Sequence, residues 1–223
     1  MRSLLVAALL LLSCSSSVRV TDPNSVQPPS TRYLAIGDSY TIGQSVPAID
    51  SFPVQFAAAL RASGSDVGQP KIIARTGWTT AEIAEAVERD GVRGPFQLVT
   101  LLAGVNDQYQ GFSAGDYRQQ FVPLLRRAIE LAGGEPQRVI VISIPDWGAT
   151  PFAEGRDRAG VGREIDAFNR INLEEARRAG TRYVDITEES RHARTNPSLV
   201  APDGLHPSAA MYGEWVAALL SAG

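Results

Sequence analysis

Cysteine is all but missing from these 223 residues, with Cys14 the only one. A single thiol excludes an intramolecular disulfide and any zinc site built from several thiolates. Histidine is almost as scarce, at His192 and His206, which leaves little for a His-rich metal centre. Lysine occurs once, as Lys71, among 21 basic residues set against 24 acidic ones, and the formal net charge is −3. The basic excess that a nucleic-acid-binding protein ordinarily carries is absent, so nucleic acid is not an expected partner. What is present is a hydrophobic fraction of 44% beside a charged fraction of 20%, enough for a sizeable core and incompatible with global disorder. The length allows one domain with accessories.

The first accessory is N-terminal. Arg2 precedes an apolar run over residues 4–12 (LLVAALLLL). That is too short for a bilayer span, which needs about 20 residues, but it suits the apolar centre of a signal peptide. The run ends in Leu11-Leu12-Ser13-Cys14, which resembles a bacterial lipobox. The resemblance implies cleavage before Cys14, diacylation of that cysteine, and export to a lipid-anchored position in the cell envelope. Ser15, rather than aspartate, after the cysteine points to the outer membrane. The alternative is an ordinary secretory leader with an incidental cysteine. Residues 15–30 are rich in Ser and Pro and lack hydrophobic periodicity, as a tether would be. The expected organisation is a signal peptide over 1–13, a tether over 14–30 and one folded domain over 31–223.

Within that domain, short apolar runs alternate with helical patterns. Strands are predicted at 32–36, 71–74, 96–103, 138–144 and 182–186, and helices at 51–63, 80–89, 116–131, 163–179 and 207–220. Pro123 is expected to kink or break its helix, and Pro207 to occupy a first-turn position. The alternation implies βαβ units and a parallel sheet covered on both faces. Sites in such sheets lie beyond the carboxyl ends of the strands, so those loops are where chemistry is expected.

Four of these loops carry it. They hold Gly37-Asp38-Ser39-Tyr40, Thr76-Gly77-Trp78, Gly104-Val105-Asn106-Asp107 and Asp203-Gly204-Leu205-His206. Ser39, His206 and Asp203 are the residue types of a nucleophilic triad, with serine attacking, histidine as base and aspartate orienting the ring. The Ser39 amide, Gly77 and the Asn106 side chain are suitable oxyanion donors. Each residue also has a plainer reading. Ser39 and Asp203 are common helix and turn caps, Gly77 suits a turn, and Asn106 can hold a loop. Asp38 and Asp107 read as loop-ordering carboxylates, although a paired-carboxylate glycosidase is conceivable. An α/β-hydrolase elbow would need G-x-S-x-G, and Thr41 stands where the second glycine belongs. His192 lies in a charged stretch and reads as solvated.

The four segments together resemble the SGNH hydrolases, also called the GDSL family of esterases and lipases, over about residues 32–220. Tyr40 stands where the name-giving leucine would be. The resemblance implies a three-layer α/β/α sandwich with a five-stranded, flavodoxin-like parallel sheet, and catalysis by Ser39, Asp203 and His206 without a cofactor. The expected activity is hydrolysis of carboxylic esters through an acyl-enzyme, on short acyl or acetyl esters of a small molecule or glycan. A lysophospholipase or thioesterase and a non-catalytic binding lipoprotein are the alternatives. Trp147, Phe152 and Tyr109 are candidate substrate-binding residues.

Overall fold

Strand β1 (Tyr33–Gly37) is buried along its whole length, which a run of Tyr-Leu-Ala-Ile-Gly permits only at the centre of a sheet covered on both faces. The computed structural model describes residues 29–222, so the proposed leader, Cys14 and most of the proposed tether lie outside the described residues. After β1 come α1 (Ser39–Ile42), α2 (Phe52–Ala62), β2 (Lys71–Ala74), α3 (Thr80–Asp90), β3 (Leu98–Leu101), α4 (Val105–Tyr109) and α5 (Ala114–Leu131). Then follow β4 (Val139–Ile142), α6 (Arg158–Ala179), β5 (Arg182–Val184), α7 (Thr187–Arg191) and α8 (Ala209–Ser221), with short 3-10 turns between.

The five strands are parallel and ordered β2-β1-β3-β4-β5. That is the flavodoxin-like order, and the expected three-layer α/β/α sandwich is what forms. Leu34 stands opposite Lys71 in β2 and Val99 in β3, which fixes the register at the centre. Helices α2 and α8 pack on each other, and α5 packs between α3 and α6. The chain runs outward in opposite directions from β1 and β3, so a crevice opens between their carboxyl ends. Ser39 follows β1 and Asn106 follows β3.

Four expectations are corrected. Helix α5 continues through Pro123 without a break. Only one backbone bond is lost to the proline ring, and Tyr117, Phe121, Leu124, Leu125 and Ala128 stay fully buried around it. Pro207 is not in the first turn of α8. Ser208 is the N-cap, its side chain receiving the Met211 amide, and Pro207 lies before it. Helix α6 starts at Arg158, five residues earlier than the periodicity implies, because Asp157 caps it by accepting from the Gly160 amide. Strands β3, β4 and β5 are shorter than their apolar runs, and Phe96 and Ala103 flank β3 without belonging to it, whereas β2 keeps its expected range and β1 its expected length.

Candidate active site

Ser39 stands at the first position of α1, directly after β1. Asp38 is the N-cap and accepts the Tyr40 amide at 3.0 Å. Gly37 must be glycine, since a Cβ there would lie 2.1 Å from Thr41 Oγ1 and 2.6 Å from the Leu102 carbonyl oxygen. The turn therefore bends tightly and presents Ser39 beyond the carboxyl end of β1, inside the sheet's order. Among the described residues, neither the Ser39 hydroxyl nor its amide is committed to a hydrogen bond.

His206 is 5% exposed. Its Nδ1 meets Asp203 Oδ2 at 2.6 Å. Asp203 Oδ1 accepts the amides of Leu205 and His206 at 2.9 and 3.0 Å. The Ser45 hydroxyl also donates to Asp203 Oδ2. Partial burial pushes the Asp203 carboxyl upward, but the Ser45 hydroxyl, the two amides and the imidazole together outweigh it and hold it well below the usual carboxylate range. An ionised carboxylate can only accept, so Nδ1 carries the ring proton and Nε2 keeps its lone pair. Tyr40 packs against the imidazole with centroids 5.4 Å apart. The residue that stands in place of leucine thus backs the imidazole.

Asn106 Nδ2 donates to the Trp78 carbonyl at 2.9 Å. One amide hydrogen fixes the side chain and leaves the other to donate. Asp107 ties the same loops together, its Oδ2 accepting the Thr80 amide and hydroxyl, each at 2.9 Å. That is the loop-ordering role expected of it. Gly77 has φ 80°, a left-handed conformation that glycine adopts freely. Its amide is uncommitted among the described residues.

Ser39, Gly77, Asn106 and His206 line one cavity of about 250 Å³. Tyr109, Trp147 and Phe152 form its wall. The three rings pack with centroids 5.5 to 6.3 Å apart. Trp147 is buried, its Nε1 donating to Gln108 Oε1 at 2.8 Å. Tyr109 and Phe152 stay 48% and 39% exposed, so the wall is rigid at its base and open at its rim. His192 lies elsewhere, exposed and paired with Glu214. Sequence reasoning missed Ser45, and a lone serine in Gly-Gln-Ser-Val carries no signal that would have found it.

Asp38 and Asp107 are both fully buried. Burial, opposed by the Tyr40 amide and reinforced by the charge of Asp107, pushes the Asp38 carboxyl up to about 7. Burial likewise raises Asp107, against the two Thr80 donors. Among the described residues, Asp38 Oδ2 and Asp107 Oδ1 have no hydrogen-bond partner. A glycosidase pair needs carboxyl groups that flank a substrate, and neither of these reaches the cavity wall.

The model of the GDSL-like lipase/acylhydrolase family matches residues 35–213. No curated protein is a match. Several solved structures share the fold. A member of the lipolytic protein G-D-S-L family from Veillonella parvula is 19% identical, with a TM-score of 0.68 over 86% of this chain and 97% of its own. The acetylxylan esterase Axe2 from Geobacillus stearothermophilus is 18% identical, with a TM-score of 0.68 over 86% of this chain and 94% of its own. The psychrotrophic esterase EstA from Pseudoalteromonas is 12% identical, with a TM-score of 0.66 over 86% and 96%.

Proposed function

Because this chain belongs to the GDSL-like lipase/acylhydrolase family, we propose that it is a carboxylic ester hydrolase that works through an acyl-enzyme on Ser39 and prefers short acyl groups. One observation carries the reading. An imidazole whose proton is held on Nδ1 by an ionised Asp203 shares a cavity with an uncommitted serine hydroxyl and three uncommitted N–H donors.

The chemistry then follows. His206 Nε2 takes the proton from Ser39 Oγ as that oxygen attacks the ester carbonyl. The tetrahedral oxyanion is received by the amides of Ser39 and Gly77 and by Asn106 Nδ2. His206 returns the proton to the departing alcohol, which leaves Ser39 acylated. Water, deprotonated by the same Nε2, attacks the acyl carbonyl, and the acid departs as Ser39 regains its proton. Asp203 stays ionised throughout and stabilises the transient imidazolium.

Two features support a short acyl group. The cavity, at about 250 Å³, is smaller than the ~300–1,000 Å³ typical of drug-sized ligands. Its lining is mostly apolar, but the polar side chains of Gln44 and Thr76 limit how far the aromatic wall's surface extends. Each methylene buried in an apolar site is worth about 0.8 kcal/mol, so a long-chain enzyme would gain strongly along an acyl series. The test is hydrolysis of p-nitrophenyl acetate, butyrate, octanoate and palmitate by wild type and Ser39→Ala. Expected are a kcat/KM highest at acetate or butyrate and a fall in kcat of roughly 10⁴-fold or more in the variant. A kcat/KM that climbs to octanoate or beyond moves the protein to the lipase or thioesterase side of the family. Retained activity in folded Ser39→Ala removes the nucleophile assignment.

A further inference from the structure

Among the described residues, Ser45 is the one non-glycine residue with a positive φ, at 67°. An ordinary side chain sits in that left-handed region only where its surroundings hold it there. Here they are identifiable. Gly43 turns the chain with φ 74°, and the Gln44 amide donates to the Ser39 carbonyl at 3.0 Å. The Gln44 side chain accepts from Thr76 Oγ1, next to Gly77, and the Val46 amide returns to the Gly43 carbonyl at 3.3 Å. Pinned on both sides, Ser45 sends its hydroxyl to Asp203 Oδ2 across 158 residues of sequence. That same oxygen meets His206 Nδ1.

We infer that Ser45 is a positioning residue, whose hydroxyl sets the angle of the Asp203 carboxylate and through it the aim of the His206 ring at Ser39. The inference rests on the triad reading above. Carboxylate rotation about Cβ–Cγ is soft. The two amides on Oδ1 restrain one oxygen, and the Ser45 hydroxyl restrains the one that holds the imidazole. Glycine would relieve the backbone at this position and lose that donor. The left-handed conformation is kept because it is where a serine hydroxyl on the nucleophile's own loop reaches the carboxylate on the base's loop. The side chain is exposed, so water competes for the site and the effect is moderate.

The test compares Ser45→Gly with Ser45→Thr in the full chain. Glycine accepts the positive φ and removes the hydroxyl, whereas threonine keeps the hydroxyl and adds a β-branch where the backbone resists one. Ser45→Gly is expected to unfold at the same or higher denaturant concentration than wild type. Its kcat should fall by about ten-fold with KM changed by less than about two-fold. The far-downfield Nδ1–H proton resonance of His206 should shift or broaden. Ser45→Thr is expected to unfold at lower denaturant, yet to keep the resonance in place and kcat within about three-fold. Stability and turnover thus move in opposite directions in the two variants. A Ser45→Gly protein with wild-type kcat and an unmoved resonance overturns the inference, and that arm decides even where Ser45→Thr fails to fold. The resonance is read without turnover. An active Ser39→Ala protein, which would sink the triad, is therefore distinguishable from a failure of Ser45 to position Asp203.

Discussion

Asn106 divides one amide group between the Trp78 carbonyl and the proposed oxyanion, and the division bears on how far a single residue was legible. Its position after an apolar run and before Asp107 marked it as an oxyanion donor. Its bond to the Trp78 carbonyl, which aims the remaining hydrogen, depends on a loop 28 residues upstream and has no sequence signature. Ser39 and His206 were legible for the same reason as Asn106: each is a reactive residue type at the end of a predicted strand or before a predicted helix. Ser45 was not, because its meaning lies in a backbone angle and a distant carboxylate. Asn106→Ala should lower kcat by about 10²–10³, or roughly 3–4 kcal/mol, with a smaller effect on KM. Steady-state kinetics on p-nitrophenyl acetate measures this, and a change confined to KM would show that Asn106 only positions substrate.

At the scale of the element, periodicity located every major helix and strand but mistook several ends. Caps explain the errors better than propensities do. Helix α3 begins where Thr79 and Glu82 form a reciprocal capping box, and there the predicted start was right. Helix α6 begins at Arg158, capped by Asp157, but Gly160 and Gly162 obscured its first turn. Ser208 outranked Pro207 as the start of α8 because a side-chain acceptor satisfies an amide that proline merely lacks. Pro123 is tolerated because α5 lies between α3 and α6, and that packing outweighs one lost backbone bond. The oxyanion loop shows an element shaped by contact alone. Gly104 has φ 119°, and a Cβ there would lie 2.7 Å from Ile144 Cδ1 and from the Tyr117 ring. The glycine in Gly-Val-Asn-Asp is thus a packing requirement as much as a motif letter.

The whole molecule gathers its chemistry where β1 and β3 diverge. Alternating strands and helices were enough to imply a parallel sheet and a site at its carboxyl end, but not the order of the strands; the flavodoxin-like order came with the family resemblance, and the pairing β2-β1-β3-β4-β5 matches it. The fold also buries Asp38 and Asp107 beneath the site, with a consequence for stability. Between pH about 4 and about 7 the folded chain holds a proton on Asp38 that the unfolded chain has lost. Stability should therefore fall as pH rises through that window, by up to about 4 kcal/mol from this group, and level off above it. Asp107 shifts in the same direction and adds to the slope. Asp203 acts oppositely, its contribution being lost as pH falls below the ordinary carboxylate range. Urea midpoints at pH 4.5, 6 and 8 should decline in wild type and decline less in Asp38→Asn, whose oxygen can still cap the Tyr40 amide. Equal slopes in both proteins would remove Asp38 as the cause.

The central claim is that one serine hydroxyl, activated by His206 beneath an oxyanion site, becomes covalently acylated. Intact-mass analysis after exposure to a p-nitrophenyl alkylphosphonate tests it most directly, because the phosphonyl oxygen occupies the place of the tetrahedral oxyanion and the adduct does not turn over readily. The expected product is a single phosphonyl adduct, located by peptide mapping on Ser39, formed with release of one p-nitrophenolate and slowed strongly in His206→Ala. No adduct is expected in Ser39→Ala. An adduct that persists in folded Ser39→Ala, or wild-type protein that hydrolyses esters while remaining unlabelled, would contradict the claim.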